Sequence, residues 1–124
     1  MKIFGVGVDI VDNRRIKKSI RNKQFISRIF SKKEINQSKK IANKTNYFSK
    51  RFAAKESLSK ALGTGFRNGL NFKDISIVND RYGKPGYELN NKLKKLIYSK
   101  LKVKEIKISL SLADEKKYSI AFSV

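Results

Sequence analysis

The fold is organised around one stretch, Arg51-Phe-Ala-Ala-Lys-Glu-Ser-Leu-Ser-Lys-Ala-Leu-Gly-Thr-Gly65, which predicts a helix that ends in a glycine loop. Alanine and leucine favour helix, and Gly63 suits the left-handed position just past a helix end. Glu56 and Lys60 lie four residues apart and therefore share one face of this helix. The opposite face is predicted to be a buried stripe of Ala54, Leu58, Ala61 and Leu62.

Two interpretations of Glu56 and Lys60 remain open from this stretch alone. A glutamate followed four residues later by a lysine is a common solvent-exposed ion pair. The same two side chains could instead bind one ligand together. The choice depends on whether a second carboxylate occupies an unusual position elsewhere, and on a reason for the positive charge of the chain.

The composition excludes several classes of chemistry. The chain has no cysteine, which excludes disulfides, thiolate catalysis and cysteine-ligated metals, and no histidine, which excludes histidine-based triads. General-base work therefore falls to a carboxylate, a lysine or a metal-bound water. A metal would have to take its ligands from only ten carboxylates, and oxygen ligands favour magnesium, manganese or calcium.

The length of 124 residues predicts a single domain over residues 1–124. Such a chain can bury a core, but a deep cleft within one subunit would be hard to build, which makes an oligomer with its site at a subunit boundary plausible. No apolar run approaches the ~20 residues that a membrane-spanning helix needs. We therefore expect a soluble, unprocessed protein with no membrane partner, cytoplasmic by default.

The net charge is +20, and it is concentrated in residues 13–60, where sixteen Lys and Arg residues face only Glu34 and Glu56. This density predicts a polyanionic partner, which could be nucleic acid, a phosphorylated cofactor or an acidic protein. Part of the excess can instead reflect AT-biased codon usage, because lysine, isoleucine and asparagine are abundant together.

The second unusual carboxylate is Asp9. The apolar segment 3–11 predicts a first strand, which is interrupted by Gly5 and Gly7 and then by Asp9. A charged group within an apolar strand needs a cation or several donors to offset its desolvation, and such a group is often functional. Alternatively, the strand ends at Val8 and Asp9 lies in solvent at its end.

The rest of the chain mixes helical and strand patterns without long βαβ repeats, which predicts an α+β fold. Asp12 or Asn13 is expected to cap the first helix. Ser31 and Glu34 have the spacing of a capping box, so we assign Glu34 a structural role. The predicted elements are helices 14–22, 32–41, from Thr45 or Asn46 to 62, and 90–101; an apolar segment of helical spacing, 25–30; strands 75–78 and 87–89; and a hairpin of segments 106–112 and 118–124 around a turn at 113–116.

Four segments in this order resemble one family, the holo-acyl-carrier-protein synthases, which are the small 4′-phosphopantetheinyl transferases of fatty-acid synthesis. The resemblance implies an antiparallel sheet packed with helices, assembled as a trimer whose sites lie between neighbouring subunits. The segments are Gly5-Val-Gly-Val-Asp-Ile-Val11 with Arg15-Ile16, Lys50-Arg-Phe-Ala-Ala-Lys-Glu56 with Lys60 and Gly63-Thr-Gly65, Gly83-Lys-Pro85, and the hairpin from Ser109 to Ala121.

The activity that the resemblance implies is transfer of the phosphopantetheine arm of coenzyme A to a serine of apo-acyl carrier protein, with release of adenosine 3′,5′-bisphosphate. The resemblance implies magnesium as the usual metal of the family, and it places the two metal-binding carboxylates on Asp9 and Glu56. Lys60 would place an ammonium group on the same phosphates, and Asp9, Glu56 and Lys60 form the catalytic set. Either Glu56 or a metal-bound water would take the serine proton.

Further binding residues follow from the same resemblance. The amides of Gly63, Thr64 and Gly65 could donate to phosphate. Lys84 and Pro85 match the nucleotide-side loop, and Arg51 is a candidate for a phosphate contact. Acyl carrier protein is acidic, so its expected contacts are the basic residues Arg15, Arg21, Lys23 and Arg28, with Phe25 as an apolar anchor.

The chain departs from many members of this family at Leu112, where they carry a histidine. Another branch has a turn much like Leu112-Ala-Asp-Glu115, and we place the chain in that branch. The alternative function is a basic nucleic-acid-binding domain without catalytic activity. It rests only on the net charge and on aromatic residues near basic ones, because no RNA-binding or helix-turn-helix motif is recognisable.

Overall fold

The structure, a computed structural model, describes residues 2–63 and 70–123. Five helices and five strands are found in these ranges, together with a single 3-10 turn at Phe72–Asp74. The strands form two antiparallel sheets, so the predicted α+β class is confirmed. In chain order the elements are β1 Gly7–Asp12, α1 Asn13–Ser19, α2 Lys23–Ile29, α3 Lys32–Ser38, α4 Lys44–Leu62, β2 Ile75–Asn79, β3 Pro85–Leu89, α5 Asn91–Leu101, β4 Leu110–Asp114 and β5 Tyr118–Ser123.

The long helix α4 is the centre of the core. Its most extensive contacts are with β1 and β5 of the sheet β1-β5-β4. Ala53, Ala54 and Leu58 are almost completely buried there, whereas Ala61 and Leu62 are half-buried. The predicted buried stripe is therefore tightest in the middle of the helix.

Polar side chains set the ends of the helices, because they accept hydrogen bonds from otherwise unpaired amides. Asp12 caps α1, and the capping box of Ser31 and Glu34 is present at α3. The first helix was predicted to reach Asn22 but ends at Ser19, since the side chain of Asn22 instead caps α2. Gly63, with a φ of +86°, ends α4 as predicted.

Other predicted boundaries were also wrong. Strand β1 begins at Gly7 rather than at residue 3, and β3 begins at Pro85 rather than at residue 87. Helix α3 ends at Ser38 rather than at residue 41, because the amides of residues 39–41 bond only three residues back. Helix α4 begins at Lys44, one residue earlier than predicted, because Asn43 accepts from the amide of Asn46. The ladder of the last hairpin covers residues 110–114 rather than 106–112, so alternation alone placed β4 too early.

Glycine lets β1 lie directly on α4. A Cβ atom added to Gly7 would lie 1.9 Å from the carbonyl oxygen of Ser57, and one added to Gly5 would lie 1.9 Å from that of Ala61. Any side chain at these positions would push the strand away from the helix. No helix in the described ranges is long and apolar enough to cross a membrane.

Candidate functional site

Asp9 lies inside β1 and faces α4. It is paired with Ala121 of β5, so the strand continues past Val8, and the interpretation that Asp9 follows the end of the strand is wrong. Val8 and Ile10 are 54% and 60% exposed on the other side of the sheet. Because side chains alternate along a strand, the Asp9 carboxylate lies on the inner side, and its exposed fraction is only 14%.

Lys60 reaches across from α4 to meet this carboxylate. Its Nζ atom donates to Asp9 Oδ1 at 2.9 Å and to the carbonyl oxygen of Val8 at 3.1 Å. The ammonium group itself stays accessible, since the Lys60 side chain is 55% exposed. A cation is therefore held beside Asp9 without being buried.

Glu56 is the second carboxylate of this cluster. Partial burial raises its pKa most, the negative charge of Asp9 raises it further, and Lys60 opposes both effects. The charges of Asp9 and Lys60 both act on the Glu56 carboxylate, so the three groups lie within electrostatic range of one another. The structure thus brings together Asp9, Glu56 and Lys60, as predicted from the sequence, in a cluster with two negative charges and one positive charge.

A buried ion pair fixes the rotation of α4 around its axis. Lys55 Nζ donates to Glu34 Oε1 at 2.6 Å and to the carbonyl oxygen of Phe72 at 2.9 Å, and both side chains of the pair are at most 1% exposed. Glu34 Oε2 also accepts from the amide of Ile77. Glu34 is structural, as predicted, but its pairing with Lys55 was missed. A lysine on a helix gives no signal of burial by itself.

A group of three hydroxyl side chains, on Ser57, Tyr87 and Ser123, was also missed. Tyr87 of β3 donates to the carbonyl oxygen of Ala54 at 2.6 Å and shares a 2.6 Å hydrogen bond with Ser123 of β5. Ser57 bonds to the same serine. Burial raises the pKa of the Tyr87 phenol, so it stays a neutral donor. These contacts tie α4 to both sheets directly beneath β1.

Arg51 lies on a different face of α4. Its guanidinium carbon lies 3.7 Å from the centre of the Tyr47 ring, and the residue is only 6% exposed. Nη2 donates to Asn79 Oδ1 at 3.2 Å, whereas Nε makes no hydrogen bond within the described residues. Burial is the main cause that lowers the pKa of this group. The guanidinium is therefore largely enclosed by the protein, with Tyr47 and Asn79 as its neighbours.

A cavity of about 460 Å³, which we call the arginine cavity, opens beside this group. Its charged lining side chains are Lys50, Arg51 and Asp114. The uncharged residues that line it are Gln37, Ile41, Asn43, Asn46, Tyr47, Asn79 and Leu112.

The turn between β2 and β3 is held next to the arginine cavity. Asn79, besides accepting from Arg51, donates to the carbonyl oxygen of Gly83 at 2.9 Å. Asp80 Oδ1 accepts from the amides of Tyr82 and Lys84, each at 2.9 Å. Asn79 therefore connects Arg51 to the turn that carries Lys84 and Pro85, a link that the sequence did not indicate.

The two groups of predicted residues are not adjacent within one chain. Arg51 and Lys60 are nine residues apart, which places them about 180° apart around α4 and about 13 Å apart along its axis. Asp9, Glu56 and Lys60 form one cluster, which we call the carboxylate cluster. Arg51, Lys84 and Pro85 belong to the arginine cavity or to its neighbouring turn.

The remaining predicted residues lie away from both. Four basic residues are exposed on or beside α1 and α2, namely Arg15, Arg21, Lys23 and Arg28. Phe25 is half-buried, and the centroid of its ring lies 6.2 Å from that of Phe30 and 6.1 Å from that of Phe52. Gly63 is exposed, and its amide is already donated to the carbonyl oxygen of Ser59. Thr64 and Gly65 lie outside the described residues.

Known proteins resemble the chain over nearly its whole length. The sequence profile of the 4′-phosphopantetheinyl transferase superfamily matches residues 5–123. The holo-[acyl-carrier-protein] synthase of Pelagibacter ubique is 54% identical over 124 residues, covering 100% of this chain and 97% of that protein.

Solved structures agree with this match. The crystal structure of the Neisseria meningitidis holo-[acyl-carrier-protein] synthase has a TM-score of 0.89 and 35% identity, covering 98% of this chain and 97% of that one. The Bacillus anthracis enzyme of that name, in complex with CoA (3′,5′-ADP), has a TM-score of 0.80 and 32% identity, covering 98% and 94%.

Proposed function

Because the chain belongs to the 4′-phosphopantetheinyl transferase superfamily, we propose that it transfers 4′-phosphopantetheine from coenzyme A to a serine of apo-acyl carrier protein in fatty-acid biosynthesis. The observation that carries this proposal is the convergence of Asp9, Glu56 and Lys60 in the carboxylate cluster. The names of the relatives state the same activity. Nothing in these names points to the alternative of nucleic-acid binding.

The carboxylate cluster fits a magnesium ion. No group of three or more His, Cys, Asp or Glu residues that could hold a metal occurs in residues 2–63 and 70–123. Magnesium does not require such a group, because it is usually held by one or two carboxylates together with substrate phosphates. The pKa of Glu56 is raised partly by the charge of Asp9, and a divalent cation would remove this repulsion. We assign Asp9 and Glu56 as its ligands.

When bound, the metal would neutralise charge that develops on the pyrophosphate of coenzyme A. Lys60 is the group of this chain that can bind the phosphates. Its ammonium group is exposed, and it can exchange its hydrogen bond to Asp9 for one to a phosphate oxygen. Among the described residues, no atom would lie within 4 Å of a Cβ added to Gly63. The predicted phosphate contacts of Thr64 and Gly65 remain part of the proposal.

The nucleophile is the serine of the carrier protein. Its oxygen forms a bond to the phosphorus that carries the pantetheine arm, and the bond from that phosphorus to the bridging oxygen breaks, which releases adenosine 3′,5′-bisphosphate. Either Glu56 or a metal-bound water would accept the serine proton.

We assign the arginine cavity to the nucleotide end of coenzyme A, with Arg51 on a phosphate and Lys84 and Pro85 beside the nucleotide. This end cannot reach the carboxylate cluster of the same chain easily, since the two lie on opposite faces of α4. A homotrimer would remove this difficulty, because one subunit could supply the carboxylate cluster and its neighbour could supply the arginine cavity. The outer face of the sheet supports such an interface, because its exposed apolar residues include Val6, Val8, Ile10, Tyr118 and Ile120.

The acidic carrier protein would bind the exposed basic residues of the N-terminal helices. Positive charge there raises the rate of encounter with an acidic partner. Phe25 can contribute only the edge of its ring, because it is half-buried against Phe30 and Phe52. The contacts that we assign are Arg15, Arg21, Lys23, Phe25 and Arg28. We propose a cytoplasmic location for this reaction.

A mass-shift assay tests the activity. Apo-acyl carrier protein mixed with this protein, coenzyme A and magnesium should gain the mass of the phosphopantetheine arm, and Glu56→Gln should remove most of this activity while keeping the same circular dichroism spectrum. Chelation of the metal should have the same effect as that substitution. An unmodified carrier protein, in a preparation that another transferase of this family does modify, would refute the function.

A complementation assay tests the shared site. Glu56→Gln and Arg51→Ala subunits, each inactive alone, should regain part of the activity when they are co-expressed, because a mixed trimer contains some intact sites. Light scattering should show three chains in each particle. Co-expressed variants that assemble as trimers but stay inactive would show that each site is built within one subunit.

A further inference from the structure

Asp114 is the one carboxylate among the described residues that line the arginine cavity. It is the last residue of β4, and Asn46 of α4 donates to its Oδ2 atom at 2.9 Å. Its Oδ1 atom lies 3.8 Å from Lys50 Nζ, which is an ion pair at long range. Asp114 therefore has a hydrogen bond of ordinary length to Asn46, whereas its ion pair with Lys50 is long.

The arginine cavity therefore contains charged groups of both signs. Lys50 and Arg51 are adjacent in the sequence and supply its two positive charges, and Asp114 supplies a negative one. The side chains of Lys50 and Asp114 are 32% and 33% exposed, so both are accessible to a ligand. An anion that enters the cavity must take Lys50 away from Asp114 and must then lie near the remaining carboxylate.

Coenzyme A carries its phosphates in two places, a pyrophosphate and a monoester on the ribose. In the function proposed above, on which this inference rests, the pyrophosphate belongs to the carboxylate cluster on the opposite face of α4. The phosphate that remains for Arg51 is the ribose monoester, which carries up to two negative charges at neutral pH. It is the anion that Asp114 would oppose most strongly.

We propose that Asp114 determines the specificity of the enzyme for the ribose phosphate of its substrate. Its carboxylate competes with this phosphate for Lys50 and repels it. The preference of the enzyme for coenzyme A over dephospho-coenzyme A is therefore smaller than it would be if only Lys50 and Arg51 acted on the ribose phosphate.

The test compares kcat/KM for coenzyme A and for dephospho-coenzyme A in the full-length, magnesium-loaded enzyme. Asp114→Asn keeps an acceptor for Asn46 and removes the charge. It should raise kcat/KM for coenzyme A roughly twofold to fivefold, within the range expected for one exposed charge pair, and leave kcat/KM for dephospho-coenzyme A unchanged. The matched control is Glu115→Gln, because this neighbouring carboxylate is exposed and does not line the cavity; it should change neither value by more than about twofold.

Lys50→Gln makes the test sharper. It should lower kcat/KM for coenzyme A only, and in the Lys50→Gln background the gain from Asp114→Asn should shrink, since the competition for Lys50 is gone. An unchanged or lower kcat/KM for coenzyme A in Asp114→Asn would overturn the proposal. An equal rise for both substrates would overturn it as well, because the effect would not depend on the ribose phosphate.

A binding measurement separates this proposal from the proposed activity. Calorimetry with adenosine 3′,5′-bisphosphate and with adenosine 5′-monophosphate needs no turnover. Asp114→Asn should tighten only the first of these ligands, and a thermal-unfolding curve like that of the parent protein should accompany it. Tighter binding without any transferase activity would refute the activity and support the role of Asp114; activity with unchanged binding of both nucleotides would refute the role of Asp114 alone.

Discussion

Lys55 and Lys60 lie five residues apart on the same helix, and each contacts one carboxylate and at least one main-chain carbonyl. Their exposure differs completely, since the Lys55 side chain is 0% exposed and that of Lys60 is 55% exposed. Removing one partner of a buried pair typically costs about 3–5 kcal/mol, whereas an exposed pair contributes about 0–1 kcal/mol. One lysine therefore holds the helix in place, and the other can leave its partner for a ligand.

The electrostatic surroundings of the two lysines agree with this division. Burial lowers the pKa of Lys55, and the charge of Glu34 opposes that shift. Around Lys60 the shifted group is the nearby Glu56, whose pKa is raised. Charge is thus compensated within the core but left unbalanced at the carboxylate cluster, as expected for a site that binds a cation and phosphates.

The largest effect on this comparison should come from Lys55→Met. This change leaves the Glu34 carboxylate buried without its cation, so we expect the free energy of unfolding to fall by about 3–5 kcal/mol. Urea denaturation measures it. The double variant Lys55→Met/Glu34→Gln should recover part of the loss, because it also removes the unpaired charge. A loss below 1 kcal/mol in the single variant would mean that Lys55 is not buried as described.

Lys60→Met should show the opposite behaviour. The free energy of unfolding should fall by less than in Lys55→Met, because the Lys60 side chain is 55% exposed and water can replace its ammonium group beside Asp9, whose side chain is 14% exposed. We expect kcat/KM to fall by about 10²-fold or more, as when one positioned donor is removed from developing charge. Steady-state kinetics and urea denaturation on the same preparation separate the two effects. Full activity would exclude Lys60 from the phosphate site.

Gly7→Ala should weaken the carboxylate cluster without touching the buried pair. The added Cβ would lie 1.9 Å from the carbonyl oxygen of Ser57, so β1 must move away from α4 and carry Asp9 with it. A loss of about 1–3 kcal/mol in stability is typical for such overpacking. Gly83→Ala is an informative companion, because its Cβ meets nothing within 4 Å, although its positive φ adds strain. Activity should fall in Gly7→Ala more than in Gly83→Ala, and equal activities would contradict this account.

The smallest effect concerns pH. Because the pKa of Glu56 is raised in the folded chain, the folded state binds this proton more tightly than the unfolded state does. The stabilising contribution of Glu56 is therefore present below its ordinary pKa of 4.5 and is lost as the pH rises through its folded-state pKa. As the pH rises through the folded-state pKa of Glu56, the free energy of unfolding of Glu56→Gln should therefore increase relative to that of the parent protein.

Thermal unfolding across pH measures this gain, with Glu115→Gln as the control for a carboxylate outside the cluster. Magnesium should reduce the difference between Glu56→Gln and the parent, because a cation lowers the pKa of the carboxylates that bind it. A difference that does not depend on pH would show that Glu56 has an ordinary pKa in the folded chain.

Much of the carboxylate cluster could be predicted from the sequence. Without histidine and cysteine only a few groups remain for catalysis, and a carboxylate inside an apolar strand is unusual enough to single out Asp9. The spacing of Glu56 and Lys60 placed them on one face of a helix. The assigned roles of these three residues remain predictions, which the substitutions above would test.

The arginine cavity could not be predicted in the same way. Its members come from α4, the turn after β2 and the end of β4, and no local pattern connects them. Arg51 was named only through a resemblance, and Asn79, Lys50 and Asp114 were not assigned at all. Contacts between residues distant in sequence depend on packing, which a period of two or 3.6 residues does not describe.

By itself, the sequence determined the α+β class, the position of α4, the glycine that ends it and the residue types available for chemistry, because these follow from local propensity, capping and composition. Only the tertiary structure decided which lysine is buried, since Lys55 and Lys60 differ in what packs over them rather than in their own chemistry. It also decided that glycine lets β1 touch α4, which brings Asp9 to Lys60, and that Arg51 is buried against Tyr47 and Asn79. Burial and distance determine the energy of a charge, and both are properties of the folded chain.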